Sequence, residues 1–286
     1  MSETKPTVVV LTALALEYAA VRAHITDREE DVHPEDGTRV EIGRLDGTPW
    51  KVALAELGEG VDNAAAMTTQ LINWLRPQAV LFVGIAGSLK DDIVVGDVVV
   101  GTKVYAVHGG KWTPQGFLSR PEAWRASNSL VQAARSAVRD MTDVRPHFKP
   151  IASGDIVLAD AESQIAQHLR EYYNDAAAIE MEGSGAAHAA HLSGQSSALV
   201  IRGISDLADG GKAHADAGGS QELAAAQAAK VAVAVLRKHR PRAGSSDARE
   251  GPRHGSGGGD TYGGDHFDFR GGTFHGTVVG KQTGKP

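Results

Sequence analysis

Four segments of the chain place chemically active side chains directly after, or between, short apolar runs. Val8–Leu11 is followed by Thr12-Ala13-Leu14-Ala15-Leu16-Glu17. Ala79–Val83 is followed by Gly84-Ile85-Ala86-Gly87-Ser88. Ile179-Glu180-Met181-Glu182-Gly183 precedes a helical pattern. Ala198–Arg202 is followed by Gly203-Ile204-Ser205-Asp206-Leu207-Ala208-Asp209. Three of the four hold carboxylates, and the fourth holds small residues that let a ligand approach the backbone. Carboxylates in such positions suit general acid–base work. Glu180 and Glu182 together are costly at a buried junction unless a partner or a function accounts for them. Plainer explanations stand beside these. A helix N-terminus favours Glu17, an N-cap suits Asp206 or Asp209, and Gly84–Gly87 reads as a tight strand–helix turn. Leu57-Gly58-Glu59-Gly60, before a helix, is either a turn or an anion cradle made of helix N–H groups.

These segments need a scaffold that brings strand ends together. Apolar, mostly β-branched runs at 8–11, 79–83, 98–100 and 198–201 read as buried strands. Helical spacing covers 13–25, 63–75, 122–139, 160–171, 183–192 and 221–238. Residues 38–56 read as a hairpin with Asp46-Gly47 at the turn. Alternating strands and helices predict an α/β/α layered domain on a central mixed sheet, and in such sheets ligands bind beyond the strands' carboxyl ends.

Composition narrows the chemistry. The 286 residues carry a net charge of −6, which gives no reason to expect nucleic-acid binding. The absence of cysteine excludes a disulfide scaffold, a thiolate zinc site and a cysteine nucleophile. Twelve histidines show no His-x-x-x-His pair, and neither a P-loop nor a Gly-x-Ser-x-Gly elbow occurs. His188 reads as a helix residue and His108-Gly109-Gly110 as a loop. No apolar run approaches the ~18 residues that span a bilayer, and the first residues do not read as a signal peptide. The expectation is a cytoplasmic protein without membrane contact.

One compositional break is clear. Residues 241–286 hold 13 of the 34 glycines and no Leu, Ile or Met. Such a tail cannot bury enough apolar surface to offset its ordering entropy, so disorder is expected. The reading is a domain over 1–240, a flexible linker over 241–259 and a distinct segment over 260–286.

In order, Val8–Glu17, Val83–Val100, Ile151–Asp155, Ala178–Gly183 (Ala-Ile-Glu-Met-Glu-Gly) and Ile201–Asp206 (Ile-Arg-Gly-Ile-Ser-Asp) resemble the nucleoside phosphorylase and nucleosidase superfamily. The branch they are most similar to is the methylthioadenosine/S-adenosylhomocysteine nucleosidases. The resemblance spans about residues 7–238. It implies cleavage of an N-glycosidic bond through a ribosyl cation-like state. Asp206 then matches the acid at purine N7, held ready by a closed, apolar site, with Ser205 orienting it. Glu182 matches the residue holding the ribose hydroxyls, and Met181 packs on the sugar. Glu17 matches the base that activates water, and Glu180 supports the set. Ala86 and Gly87 lie beside base and ribose, and the backbone at Val157 and Leu158 faces the purine. No metal or organic cofactor is implied, and a homo-oligomer is.

Two departures bear on the substrate: Ile85 stands where nucleosidases often have Ser, and Val157 where an aromatic residue stacks on the base. No arginine lies just before Gly84 or within Gly58–Asn63, which favours hydrolysis over the phosphorylase alternative. A non-catalytic ligand-sensing module is a third reading, and the three-carboxylate set argues against it. In the tail, Phe274-His275-Gly276-Thr277-Val278-Val279-Gly280 resembles bacterial amyloid signalling motifs of the RIP homotypic interaction type. The resemblance implies stacking on a receptor's matching motif, as in bacterial immunity; the plainer reading is a solubilising tail.

Overall fold

The computed structural model describes residues 5–114, 116–155, 158, 160, 163–194, 197–208 and 219–241. The chain divides after Arg242. From residue 242 on, the expected linker and the 260–286 segment lie outside the described residues, as does Val157.

Twelve strands and six α-helices are described, with one 3-10 turn at Val138–Asp140. They run β1 (Thr7–Thr12), α1 (Ala15–Arg22), β2 (Thr26–Val32), β3 (Arg39–Arg44), β4 (Lys51–Glu56), α2 (Val61–Leu75), β5 (Ala79–Ser88) and β6 (Val98–Ala106). After these come β7 (Gly110–Thr113), β8 (Gly116–Ser119), β9 (Glu122–Arg125), α3 (Asn128–Ala137), β10 (Pro146–Ser153) and α4 (Gln164–Tyr172). The last are β11 (Ala178–Glu180), α5 (Gly183–Ser193), β12 (Ser197–Asp206) and α6 (Ser220–Lys238). The main sheet has the order β11-β10-β6-β12-β5-β1-β4-β3-β2, with β9 added on β6. Strands β1, β4, β5 and β12 pair in parallel, whereas β6 runs antiparallel to β12. The sheet is therefore mixed, as expected.

Helices cover both faces. Alanine-rich α6 lies against β5 and β12 with α1 and α3 beside it. Alanine carries no side-chain entropy cost in a helix, and its small size lets α6 sit close to the sheet. On the other face α2 packs on α5. A Cβ at Gly185 would overlap the Val61 carbonyl, so the glycine sets how closely the two helices approach. Among the described residues no helix is long and apolar enough to cross a membrane.

One pairing shapes the site. The start of β11 also pairs antiparallel with the end of β5, Ala178 with Ser88 and Ile179 with Gly87. Strands β11, β10, β6, β12 and β5 thus close a hydrogen-bonded circuit, and the ends of β5, β11 and β12 converge.

Several expectations change. Gly84–Gly87 is not a turn into a helix: it continues β5 to Ser88. The segment read as one helix over 122–139 begins with strand β9, because pairing of Lys103–Ala106 with Glu122–Arg125 outweighs the local helical pattern. Strand β2, Thr-Asp-Arg-Glu-Glu-Asp-Val, is exposed throughout and has no apolar face to signal it. Its charges suit an edge strand that must not pair with other chains. The hairpin over 38–56 is β3–β4, with a six-residue connection containing Gly47 at φ +75°.

Candidate active site

At the end of β1 the chain turns into α1, and Glu17 folds back over that turn. Its Oε2 accepts the N–H groups of Ala13 (2.8 Å) and Leu14 (3.0 Å), which the helix itself cannot satisfy. Its Oε1 accepts the Ile85 N–H from β5 at 2.8 Å. Burial raises the pKa of Glu17, and this outweighs the lowering by Arg202 and the three N–H groups.

Glu180 ends β11. Its Oε2 accepts the N–H groups of Glu182 (3.2 Å) and Gly183 (2.8 Å) at the start of α5, and the Arg202 guanidinium through Nη2. Glu182 accepts the Gly60 N–H on Oε1 at 3.2 Å, and its Oε2 lies 3.5 Å from Arg202 Nη2. The neighbouring Val61 N–H donates to Asp155 Oδ1 at 2.8 Å. The Gly58–Gly60 loop at the N-terminus of α2 is therefore an anion cradle, filled by the chain's own carboxylates. Gly58 (φ +77°) and Gly60 (φ +102°) adopt backbone conformations that other residues rarely take.

Arg202 ties these groups together. It is fully buried, lies over the Phe82 ring at 4.3 Å, and faces Glu180, Glu182 and, at 3.9 Å, Glu17. Burial opposes its charge, but Glu180, Glu17 and Glu182 more than offset this and raise its pKa. A Cβ on Gly84 would overlap both Arg202 Nη1 and Glu17 Oε1. The glycines of β5 thus make room for the site's own side chains. Gly87 does the same for Asp206, whose Oδ1 would lie 2.9 Å from an added Cβ.

Asp206 ends β12 just after a register shift. Ile204 pairs with Ala86, but Asp206 rather than Ser205 pairs with Gly87, so Ser205 is the extra residue of a bulge. Bulges re-aim side chains beside active sites. Ser205 Oγ lies 2.9 Å from Asp206 Oδ2 and 3.4 Å from the Ala86 carbonyl; its single hydrogen can serve only one of them. Asp206 Oδ1 accepts the Ala208 N–H at 2.9 Å. Ala208 has φ +50°, a strained value for alanine and of the kind found at functional sites.

A cavity of about 170 Å³ collects these groups. Its wall includes Glu17, Glu180, Met181, Glu182, Ser205 and Asp206, together with Ile85, Ala86, Gly87 and Leu158. Every sequence-predicted site residue among the described ones is there. The structure adds Leu14, Glu59, Ala208 and Gln221 to the wall, and Arg202 behind it. The signal for Arg202 was available, since a charge inside the apolar run Leu199–Ile204 must be paired. His108 does not line the cavity, and His188 stacks on Trp124 at 4.7 Å. Among the described residues, the cavity wall contains no lysine or arginine.

Burial raises Glu182 to about 7, opposed by Arg202 and assisted by Glu180. A carboxylate accepts hydrogen bonds on both oxygens only in its ionised form. For turnover, kcat/KM is expected to rise with pH through about 7. Replacing Glu182 by Gln should remove the part of that limb due to Glu182, while Glu17, also raised by burial, keeps its own.

The Phosphorylase superfamily model matches residues 7–237. The chain is 32% identical over 209 residues to a 5'-methylthioadenosine/S-adenosylhomocysteine nucleosidase of Chromohalobacter salexigens, covering 70% of this chain and 84% of that one. It is 30% identical over 240 residues to the ATP nucleosidase Cap17 of Escherichia coli, covering 72% of this chain and 47% of that protein, so it spans about half of that relative. The crystal structure of the Neisseria meningitidis methylthioadenosine/S-adenosylhomocysteine nucleosidase with methylthio-immucillin-A superposes with a TM-score of 0.71 at 26% identity, covering 81% of this chain and 98% of that one. The chain belongs to the Phosphorylase superfamily, over the span that carries Glu17, Glu182, Asp206 and the arginine behind them.

Proposed function

We propose that the chain is a nucleosidase, a hydrolase of N-glycosyl bonds, that releases adenine from a nucleoside or nucleotide. The observation that carries this is the convergence of Glu17, Glu182 and Asp206 on one cavity. Asp206 gives a proton to purine N7 as the C1'–N9 bond breaks and its electron pair passes to the base. Ser205 is placed to assist: turning its hydroxyl to the Ala86 carbonyl frees Asp206 Oδ2 to carry that proton. Glu182 holds the ribose hydroxyls and places negative charge near the ribosyl cation, as electrostatic stabilisation requires. Met181 packs on the sugar. Glu17 takes a proton from water as the water oxygen bonds to C1'; burial raises its pKa, which makes it a stronger base than a solvated carboxylate. Glu180 and Arg202 hold the other carboxylates in place.

Hydrolysis is preferred to phosphorolysis because the described cavity wall offers no cation to a phosphate, and the one buried arginine is already committed to three carboxylates. Incubation with adenosine, methylthioadenosine, S-adenosylhomocysteine, AMP and ATP, with and without phosphate, should release adenine at equal rates in both conditions. Strict dependence on phosphate would overturn the reading. The panel also identifies the preferred 5' group, with a thioether pointing to salvage and a polyphosphate to nucleotide depletion.

The proposal extends to assembly. Copies associate, which accords with the β7–β8 hairpin presenting Trp112 at 79% exposure. Residues 260–286 gather the enzyme on a receptor bearing a matching motif, making it an effector in bacterial defence. Deleting 260–286 should spare turnover in vitro and abolish receptor-triggered toxicity; toxicity that survives the deletion would reject this role.

A further inference from the structure

The site cavity has a neighbour. A second cavity, of about 230 Å³, shares two walls with it, Leu158 and Ala208. Among the described residues its wall is mixed: Ala166 and Leu169 of α4 and Tyr173, all buried, form an apolar side, and Ser88, Asp91, Arg170 and Asn174 stand on the rest. At its rim, Lys90 Nζ donates to the Asn174 carbonyl at 2.6 Å, so that ammonium is already engaged outside the interior. A volume of about 150 Å³ is enough to hold a benzene ring, so this cavity has room for one against its apolar side.

Its position relative to a bound purine follows from the base's own chemistry. N7 and the exocyclic group on C6 lie side by side on one edge of adenine. A base whose N7 meets Asp206 therefore carries its C6 amino group past that carboxyl. Beside the carboxyl stands Ala208, whose N–H is bonded to Asp206 Oδ1 at 2.9 Å. Ala208 and Leu158 line both cavities, so a substituent on the amino group points along their shared wall toward the second.

We propose that the second cavity is a subsite for an apolar or aromatic substituent on the purine's C6 amino group, so that N6-alkyl and N6-aryl adenine nucleosides are substrates. The inference rests on the reading of Asp206 as the group that meets purine N7. It makes α4 a specificity element for the base, separate from the carboxylate set that performs the cleavage.

The test is calorimetric binding of adenine and N6-benzyladenine to the full chain, beside turnover of adenosine and N6-benzyladenosine. N6-benzyladenine should bind at least as tightly as adenine. Ala166→Phe, which fills the interior, should weaken N6-benzyladenine more than tenfold and leave adenine within twofold; the retained adenine affinity shows that the variant is folded. Leu207→Trp, at the half-exposed rim, should do the same without disturbing the core. Adenine binding with N6-benzyladenine excluded, or equal binding that neither variant alters, would overturn the subsite and leave the nucleosidase reading standing. Both bases bound as expected with neither nucleoside cleaved would support the subsite and overturn the nucleosidase. Failure of both bases to bind would overturn both.

Discussion

Asp206→Asn is expected to lower kcat for base release by about 10²–10⁴-fold, the usual contribution of a positioned general acid. Asparagine keeps the shape of the side chain. Its carbonyl can still accept the Ala208 N–H, and its amide can face Ser205 Oγ as a donor where the carboxylate was an acceptor. What it cannot do is pass a proton to N7. The loss should therefore fall on kcat, with the thermal transition little changed and adenine binding reduced by a smaller factor. Turnover equal to that of the unmodified enzyme would remove Asp206 from the role of acid.

Arg202→Met is expected to cause the largest loss of stability. The guanidinium is fully buried and faces Glu17, Glu180 and Glu182. Removing one partner of a buried ion pair typically costs about 3–5 kcal/mol, because the charge left behind has neither water nor a counter-ion. For a domain of this size that is a fall in Tm of roughly 10 °C. The sign of its pH dependence follows from Glu17 and Glu182. Burial already raises both pKa values, and Arg202 is the largest influence lowering them. Without it they rise further, so the folded state binds protons more readily than the unfolded state. Stability conferred by a raised carboxyl is present below its unfolded value and is lost as pH rises through its folded value. The deficit should therefore be large above pH 7 and shrink toward pH 4.5 when Tm is measured across that range. Arg202→Lys should not restore activity, since one ammonium cannot reproduce the planar fork that reaches Glu180 and Glu182 from a single nitrogen while facing Glu17 with the other. A Tm deficit that does not vary with pH would mean that lost packing on Phe82, rather than charge, is responsible.

The parts of the site that could be read from the sequence were side chains at the ends of apolar runs. Glu17, Glu182 and Asp206 stand there because a sheet exposes its chemistry where the strands stop. Arg202 lies inside a strand, and what sets Glu17 and Glu180 beside it is tertiary: β12 and β11 both pair with β5, and Glu17 accepts the β5 Ile85 N–H. The glycines of β5 stand out in the sequence as places of close approach, and Arg202, Glu17 and Asp206 are the side chains packed against them. That is tertiary information, absent from the local pattern. The same holds for β9. Glu-Ala-Trp-Arg has no strong strand signal, and its conformation is set by the edge of β6. The layered α/β fold was legible because apolar runs and helical spacing alternate along most of the domain. The closure of β11 onto β5 was not, since a three-residue strand has too little pattern to announce a partner.

The most direct test of the account is a reaction in ¹⁸O-labelled water with the preferred substrate of the panel, in phosphate-free buffer, with the sugar product examined by mass spectrometry. The account predicts free adenine and a ribosyl product carrying the label at C1, formed at a rate that added phosphate does not change. Unlabelled sugar 1-phosphate formed only when phosphate is supplied, or adenine release that persists unchanged in Asp206→Asn, would contradict it.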